Sequence, residues 1–513
     1  MDILRTLRQE TLFARQRVYQ AGEPTPLEPI ELEVPGNVFV KREDLSPIKA
    51  YKWRGAFNRM ALLSEDERKR PVVAASAGNH AQGVALAARI LDLRAKIYMP
   101  RTTPVVKREA VYRHGGEHVE IILEGDGYDD ALAAALIETH ANGNAYIHAY
   151  DDLLVMAGQA TLADEIVMSG EGPFDVAYLQ IGGGGMAGGV ANWLKTFYPK
   201  IRIVGVEGVE QASMKAAVEA GKPTPLEALD IFCDGTAVRQ AGEVTFEVCR
   251  QVIDEFITVT NEEVSDAIRL YWERLRCLLE PSGAMGLAGL LKDCAASSST
   301  AHHENALIIG CGANLDFGKL AVIADSAGIG AGRRRHLRIQ IPEKPGSMLE
   351  LLETGLGRLN IIDFQYGKVD PAEAWPVFGM VCSDPEHSAL EERLRSEGYK
   401  FEEVDDSVEV RFRAIPCDVS LLHFPVFLEL DFYERAGALL DFLQQIVRSQ
   451  ANFCYFNYRY TGERVGRALI GLEFDTQTQA EAFLAELPPS GDGYRYCRPL
   501  SNDEINQIVG KKD

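Results

Sequence analysis

From about residue 35 to residue 320, short apolar runs alternate with longer stretches of helical periodicity. The clearest runs are Val72-Val73-Ala74-Ala75, Ala95-Lys96-Ile97-Tyr98-Met99, Val176-Ala177-Tyr178-Leu179-Gln180-Ile181 and Ile203-Val204-Gly205-Val206. Runs of this kind fit strands buried on both faces, and helical spacers between them predict parallel pairing. The pattern is that of an α/β fold. Near Ser326 the character changes to Ala327-Gly328-Ile329-Gly330-Ala331-Gly332, followed by Arg333-Arg334-Arg335. A Gly-rich and then basic stretch predicts a linker over 329–336.

Beyond it the pattern repeats. Pro342-Glu343-Lys344-Pro345-Gly346-Ser347-Met348-Leu349 matches Tyr433-Glu434-Arg435-Ala436-Gly437-Ala438-Leu439-Leu440. Asn360 and Asn452 are each followed by aromatics four and six positions on (Phe364 and Tyr366; Phe456 and Tyr458). The glycines are 91 apart and the asparagines 92 apart, so register holds through a whole domain. Each copy reads strand, Gly turn, helix, strand, strand, which is βαββ, half of a ferredoxin-like unit. Two copies at so long a period indicate duplicated small domains and not a solenoid.

A chain of 513 residues allows roughly three to four domains at about 150 residues each. Its net charge of −22 excludes a dominant nucleic-acid or anionic-membrane surface. The N-terminus mixes charges and lacks an apolar core segment, and no run is long enough to span a bilayer. Nine scattered cysteines without a CxxC pair read as reduced thiols in a cytoplasmic protein. Cysteines and histidines form no zinc pattern, and His114 and His118 are separated by a Gly-Gly turn; no metal is expected.

Five segments carry candidate chemistry. Lys41-Arg42-Glu43-Asp44 leads to Ala50-Tyr51-Lys52-Trp53-Arg54-Gly55-Ala56. A Schiff-base lysine must become a neutral nucleophile, which apolar neighbours and nearby positive charge promote. Lys52 has that setting, although a surface lysine needs no more. Ala75-Ser76-Ala77-Gly78-Asn79-His80-Ala81-Gln82-Gly83 follows a strand directly, where bare backbone at a helix start favours a carboxylate. An ordinary turn has the same composition. Gly182-Gly183-Gly184-Gly185 also joins a strand to a helix, and a turn needs only one or two glycines. A cradled phosphate explains the excess, and the absence of GxGxxG disfavours a dinucleotide. Glu280-Pro281-Ser282-Gly283-Ala284 and Gly310-Cys311-Gly312-Ala313-Asn314 complete the set. A lone Cys311 reads as an inert core thiol or as a weak hydrogen-bond partner for a ring nitrogen.

In this order and spacing the five segments resemble the fold-type II pyridoxal-phosphate (PLP) enzymes, and specifically the biosynthetic threonine dehydratases (threonine ammonia-lyases). His148-Ala149-Tyr150-Asp151-Asp152, Gly158-Gln159-Ala160-Thr161 and Asp234-Gly235-Thr236-Ala237-Val238 share the likeness. The duplicated C-terminus resembles the paired ACT-like domains of the long, allosteric form. The implied layout is a tryptophan-synthase-β-like catalytic domain over 1–328, with a smaller subdomain at 46–145. ACT-like domains follow at 337–412 and 424–500.

The resemblance implies roles for individual residues. Lys52 carries the cofactor covalently and returns protons, and Asn79 bonds the phenolic oxygen. Gly182, Gly183, Gly184 and Gly185 hold the phosphate, Cys311 faces the pyridine nitrogen, and Glu280 belongs with the cofactor residues. Ser76, Ala77, Asn79, His80 and Gln82 receive the substrate carboxylate. The implied reaction is loss of water and ammonia from L-threonine to give 2-oxobutanoate for isoleucine synthesis. Isoleucine is the implied inhibitor and valine its antagonist, in a homotetramer, with effector sites near Gly346, Asn360, Gly437 and Asn452. Ala50, Trp53, Ala149 and Asp316 depart from the family pattern, and Trp53 beside Lys52 is either a pocket wall or packing. Other readings stand beside this one: a serine or hydroxyaspartate dehydratase, or a racemase using Ser76 as its second acid, with a cation near Glu207. A catalytically inactive amino-acid sensor is another, against which the retained Lys52 and tetraglycine argue.

Overall fold

A computed structural model describes the chain except residues 1, 297–302, 331–333, 358, 406, 408, 411–412, 434–439, 441–443, 445–450, 460–464, 488–493, 502–503 and 506–513. It divides into two compact units, Met1–Gly330 and Ala331–Asp513. Among the described residues no helix is long and apolar enough to cross a membrane.

The strands of the first unit are β1 (Leu27–Ile30), β2 (Asn37–Arg42), β3 (Val72–Ala75), β4 (Ala95–Met99), β5 (Val119–Leu123), β6 (Val176–Gln180), β7 (Arg202–Gly208), β8 (Glu255–Val259) and β9 (Asn305–Gly310). They form two sheets, β1-β2-β9-β6-β7-β8 and β3-β4-β5. All pairs are parallel except β1 with β2. In β6 every residue is buried, as a sheet covered on both faces requires. Ala177 and Leu179 pack on one side with Met186, Val190 and Leu194; Val176 and Tyr178 pack on the other with Met285 and Ala288. The three-stranded sheet is the smaller subdomain, covered by the alanine-rich helix Asn79–Ile90. In open sheets of this kind ligands bind beyond the carboxyl ends of the strands. Gly182, Cys311 and Ser76 all follow such ends.

The second unit carries β10 (Arg334–Ile339), β11 (Ile341–Pro342), β12 (Asn360–Gly367), β13 (Glu373–Ala374), β14 (Val377–Val381), β15 (Phe401–Glu403), β16 (Val426–Tyr433), β17 (Asn452–Arg459), β18 (Val465–Glu473) and β19 (Tyr494–Pro499). Eight of them form one antiparallel sheet, β15-β10-β14-β12-β17-β18-β16-β19. Each repeat is larger than the βαββ expected. The helix Asp384–Ser396 and β15 complete the first ferredoxin-like unit, and the helix Gln477–Glu486 and β19 close the second. Leu337, Ile339, Phe364, Phe378, Phe456 and Ile470 share one core with Leu352, Leu390 and Leu394. The helices therefore cover a single face of the sheet.

Of the expected linker 329–336, residues 331–333 lie outside the described residues. The helix Lys319–Gly330 enters it from one side and β10 begins at Arg334. Period-two alternation explains why: Leu337 and Ile339 go into the core while His336 and Arg338 take the other face.

Candidate active site

The tetraglycine turn joins β6 to the helix Gly185–Phe197. A Cβ on Gly182 would lie 2.8 Å from Thr236 Cα, and on Gly183 2.2 Å from the Tyr150 ring. At Gly184 φ is +88°, and a Cβ would meet Met214 Cε at 2.5 Å. The turn is kept bare because side chains do not fit there. The first N–H groups of a helix lack intrahelical acceptors and sit at its positive dipole end, so the turn suits a phosphate.

Lys52 lines the same cavity from the start of the helix Trp53–Ala61. Its backbone is laced to the segment after β9. Tyr51 N donates to Cys311 O at 3.2 Å and Ala313 N to Lys49 O at 2.8 Å. Asn314 Nδ2 donates to Ile48 O at 2.8 Å. Lys52 and Cys311 are thereby held in one register although 259 positions separate them. Desolvation in the cavity lowers the Lys52 pKa, against the opposing pull of Cys311 and Glu280. Burial raises the Cys311 thiol pKa, with Glu280 adding to it. The pair is thus biased toward a neutral amine and a neutral thiol.

Glu280 anchors the floor. Its Oε1 accepts from Asn79 Nδ2 at 2.6 Å and its Oε2 from Asn314 N at 3.1 Å. Asn314 Nδ2 also donates to Asn79 Oδ1 at 2.7 Å. Burial, then the charge of Asp234, pushes the Glu280 carboxyl up to about 7. A second network fixes the Lys52 helix from below. Arg54 is fully buried and donates to both oxygens of Glu43, at 3.0 and 2.8 Å, and to Thr161 Oγ1 at 3.1 Å. It also reaches Glu165, which Lys41 shares.

Lys52, Asn79, Gly182 to Gly185, Glu280 and Cys311 line this one cavity. Ser76, Ala77, His80 and Gln82 do not line it. Ser76 Oγ accepts from Gly78 N at 3.2 Å, and His80 Nε2 lies 2.8 Å from Ile147 O. Burial holds the His80 ring at about 3, so it stays neutral. Gln82 is buried in the helix that the loop starts. Trp53 faces away from the cavity, among Val18, Ile48 and Leu86. Glu207 caps the helix Ser213–Ala220, accepting from Met214 N and Lys215 N at 2.9 Å each, and burial raises its pKa to about 7.

Sequence reasoning missed Gln180, Tyr51, Thr236 and Ser282, which also line the cavity. Gln180 had a signal: it is a lone amide at the end of an apolar strand, two residues before the first glycine. Its Nε2 donates to Ile309 O at 2.8 Å, joining the ends of β6 and β9.

A lysine at a helix start, a glycine cradle at a helix N-terminus and a protonated thiol, all in one cavity of an open α/β fold, fit a pyridoxal-phosphate-dependent enzyme of fold type II. Comparison with known proteins agrees. The family model of pyridoxal-phosphate-dependent enzymes matches residues 18–312. That of the C-terminal regulatory domain of threonine dehydratase matches 325–412 and 425–509. L-threonine dehydratase biosynthetic IlvA of Haemophilus influenzae is 37% identical over 477 residues, 91% of this chain and 90% of that one. A solved threonine deaminase isoform 2 from Solanum lycopersicum, in its processed form, has a TM-score of 0.60 at 38% identity, covering 63% of this chain and 94% of its own. Maize serine racemase gives 0.56 at 30% identity, covering 61% and 95%. The chain belongs to the biosynthetic threonine dehydratase family, and pyridoxal phosphate is its cofactor.

Proposed function

We propose that this enzyme removes water and ammonia from L-threonine to give 2-oxobutanoate, and that its C-terminal unit adjusts that activity to isoleucine. The observation that carries the reading is the joint placement of Lys52, the tetraglycine and Cys311 in one cavity. The names and lengths of the relatives support the substrate, since 91% of this chain aligns with a threonine dehydratase.

Pyridoxal phosphate, when bound, supplies the electron sink that lets the α-proton and then the β-hydroxyl leave. Gly182 to Gly185 would hold its phosphate and Lys52 would carry it. With its pKa held down by desolvation, the Lys52 amine is available to take and return a proton. Cys311, kept a thiol by burial, would offer the pyridine nitrogen a weak hydrogen bond without a negative charge. That would keep the sink modest and favour prompt loss of the β-hydroxyl. The loop Ser76 to Asn79 opens the helix Asn79–Ile90, whose N-terminus suits the substrate carboxylate. The released enamine tautomerises and is hydrolysed in water to the 2-oxo acid and ammonia. By resemblance we extend the proposal to a homotetramer in which valine opposes isoleucine.

Product analysis tests the catalytic half. Wild type shows the visible cofactor band and forms 2-oxobutanoate from L-threonine, and Lys52→Ala loses both. A wild type that carries the band but leaves L-threonine unchanged refutes the proposal.

A further inference from the structure

The helix Asp384–Ser396 of the second unit buries His387, Leu390 and Leu394 along one stripe. The two leucines belong to the apolar core, and a further aliphatic side chain at 387 would pack beside them as well. An imidazole stands there instead, only 7% exposed. Its Nε2 makes no hydrogen bond among the described residues. Buried polar atoms without partners are rare in folded proteins, and each calls for an explanation.

Two carboxylates converge on that nitrogen. Glu391 stands one helical turn on, and residues four apart share a face. Glu403 comes from β15. There Phe401 and Glu403 pair with Ile339 and Leu337 of β10, which point into the core, so Glu403 is on the face that the helix covers. Glu402, between them, takes the other face and pairs with Arg338. Glu403 Oε1 lies 3.2 Å from His387 Nε2. The ligating atoms of all three side chains lie within 4.8 Å of one another.

These separations suit ligands that face one ion. Two atoms each about 2.1 Å from a tetrahedral metal stand about 3.4 Å apart. The 3.2 Å between His387 and Glu403 matches one such edge, yet the two groups are not aligned for a hydrogen bond. The remaining gaps close by rotation of the two glutamates, both of which reach the surface. One group competes. Arg395 Nη2 lies 3.2 Å from Glu391 Oε2, and its guanidinium sits over the Phe401 ring. Arg395 is mostly exposed, and ion pairs of that kind are weak.

We propose that His387, Glu391 and Glu403 bind a first-row divalent cation, Zn²⁺ above all. One imidazole and two carboxylates form a mixed nitrogen and oxygen set, which suits Zn²⁺ better than Mg²⁺. Three protein ligands leave a fourth position for water. The two carboxylates balance the charge of the ion. Bound there, it ties the helix Asp384–Ser396 to β15, the outermost strand of the eight-stranded sheet. β15 is three residues long and pairs, among the described strands, with β10 alone, so little else holds that edge.

None of the three ligands lines the Lys52 cavity. None of the expected effector positions takes part either: Gly346 precedes the helix Ser347–Glu350, Asn360 begins β12, Asn452 begins β17, and Gly437 lies outside the described residues. The sequence shows no zinc pattern because the third ligand comes from another element, twelve positions beyond Glu391.

Calorimetric titration of Zn²⁺ into chelator-treated, full-length holoenzyme tests the assignment, with Mg²⁺ present in excess. Wild type should take up one saturable equivalent. Glu391→Gln and Glu403→Gln should each weaken it by at least about tenfold, the scale of loss when even an outer partner of a metal site is removed. His387→Ala should abolish it. Both glutamates reach the surface, so their variants decide the matter if His387→Ala fails to fold. Zinc uptake that survives all three substitutions, through cysteines elsewhere, overturns the site, as does an unchanged isotherm in folded Glu403→Gln. A wild type without a saturable equivalent overturns it too.

Discussion

The rings of Phe364 and Phe456 stack with their centroids 4.1 Å apart and their planes 28° from parallel. They are the same residue of the two repeats, separated by the offset of 92 that also separates Asn360 from Asn452. On the opposite face of the same strands Gln365 pairs with Asn457, again equivalent positions. The two ferredoxin-like units therefore meet about a local twofold axis between β12 and β17, through like residues. Each aromatic that followed the repeated asparagine marks this seam.

Truncating either ring should loosen the seam. Phe364→Ala and Phe456→Ala are each expected to cost about 3–5 kcal/mol of stability. The double variant should lose less than the sum, because the stacked pair is worth about 0.5–1.5 kcal/mol beyond its area. Urea unfolding of the four proteins measures the coupling, and strict additivity would deny that the rings act as a pair.

The glycine cradle predicts a defect in cofactor binding and not in folding. Gly183→Ala places a methyl 2.2 Å from Tyr150 Cγ, so the ring has to swing aside. The visible cofactor band should require at least about tenfold more pyridoxal phosphate to saturate, a loss of about 1.4 kcal/mol. Saturation at the wild-type concentration would mean that the phosphate sits elsewhere.

Acid sensitivity should trace to Glu165. Burial opposes its charge, but Arg54 and Lys41 outweigh that and hold its pKa below the ordinary value of 4.5. A depressed carboxyl contributes stability that is complete above the unfolded pKa and is lost as pH falls through the folded one. Wild type should therefore keep this contribution at neutral pH and lose it below about pH 4.5. Glu165→Gln leaves two buried cations short of a partner and should cost about 3 kcal/mol at pH 7. The gap between variant and wild type should shrink in acid. A gap independent of pH would show that the carboxylate charge contributes nothing.

Trp53 should matter for packing and not for substrate choice. It is fully buried against Val18, Ile48 and Leu86, and its Nε1 has no hydrogen-bond partner among the described residues. Trp53→Phe then sacrifices volume but no hydrogen bond, and should cost under about 3 kcal/mol. The ratio of kcat/KM for L-threonine over L-serine should stay where it is. A shifted ratio would return this residue to the pocket wall.

Much of the α/β frame was legible because buried parallel strands read as unbroken apolar runs, and β3, β4, β6 and β7 fall on the runs that announced them. The tetraglycine was legible because four glycines exceed what a turn needs. Long-range closure was not. Asn314 reaches Asn79 across 235 positions, and Arg54 finds Glu165 across 111, with no local pattern to signal either. Three arginines resemble a solvated run, whereas alternation with Leu337 and Ile339 makes Arg334 and Arg335 part of a strand.

The most direct test of the account is 2-oxobutanoate release by the purified enzyme from L-threonine, with and without L-isoleucine. Turnover that L-isoleucine suppresses is the predicted result, and it would join the Lys52 cavity and the repeated C-terminal unit in one regulated enzyme. Turnover indifferent to L-isoleucine would contradict the regulatory half, and no turnover despite bound cofactor would contradict the assignment of the substrate.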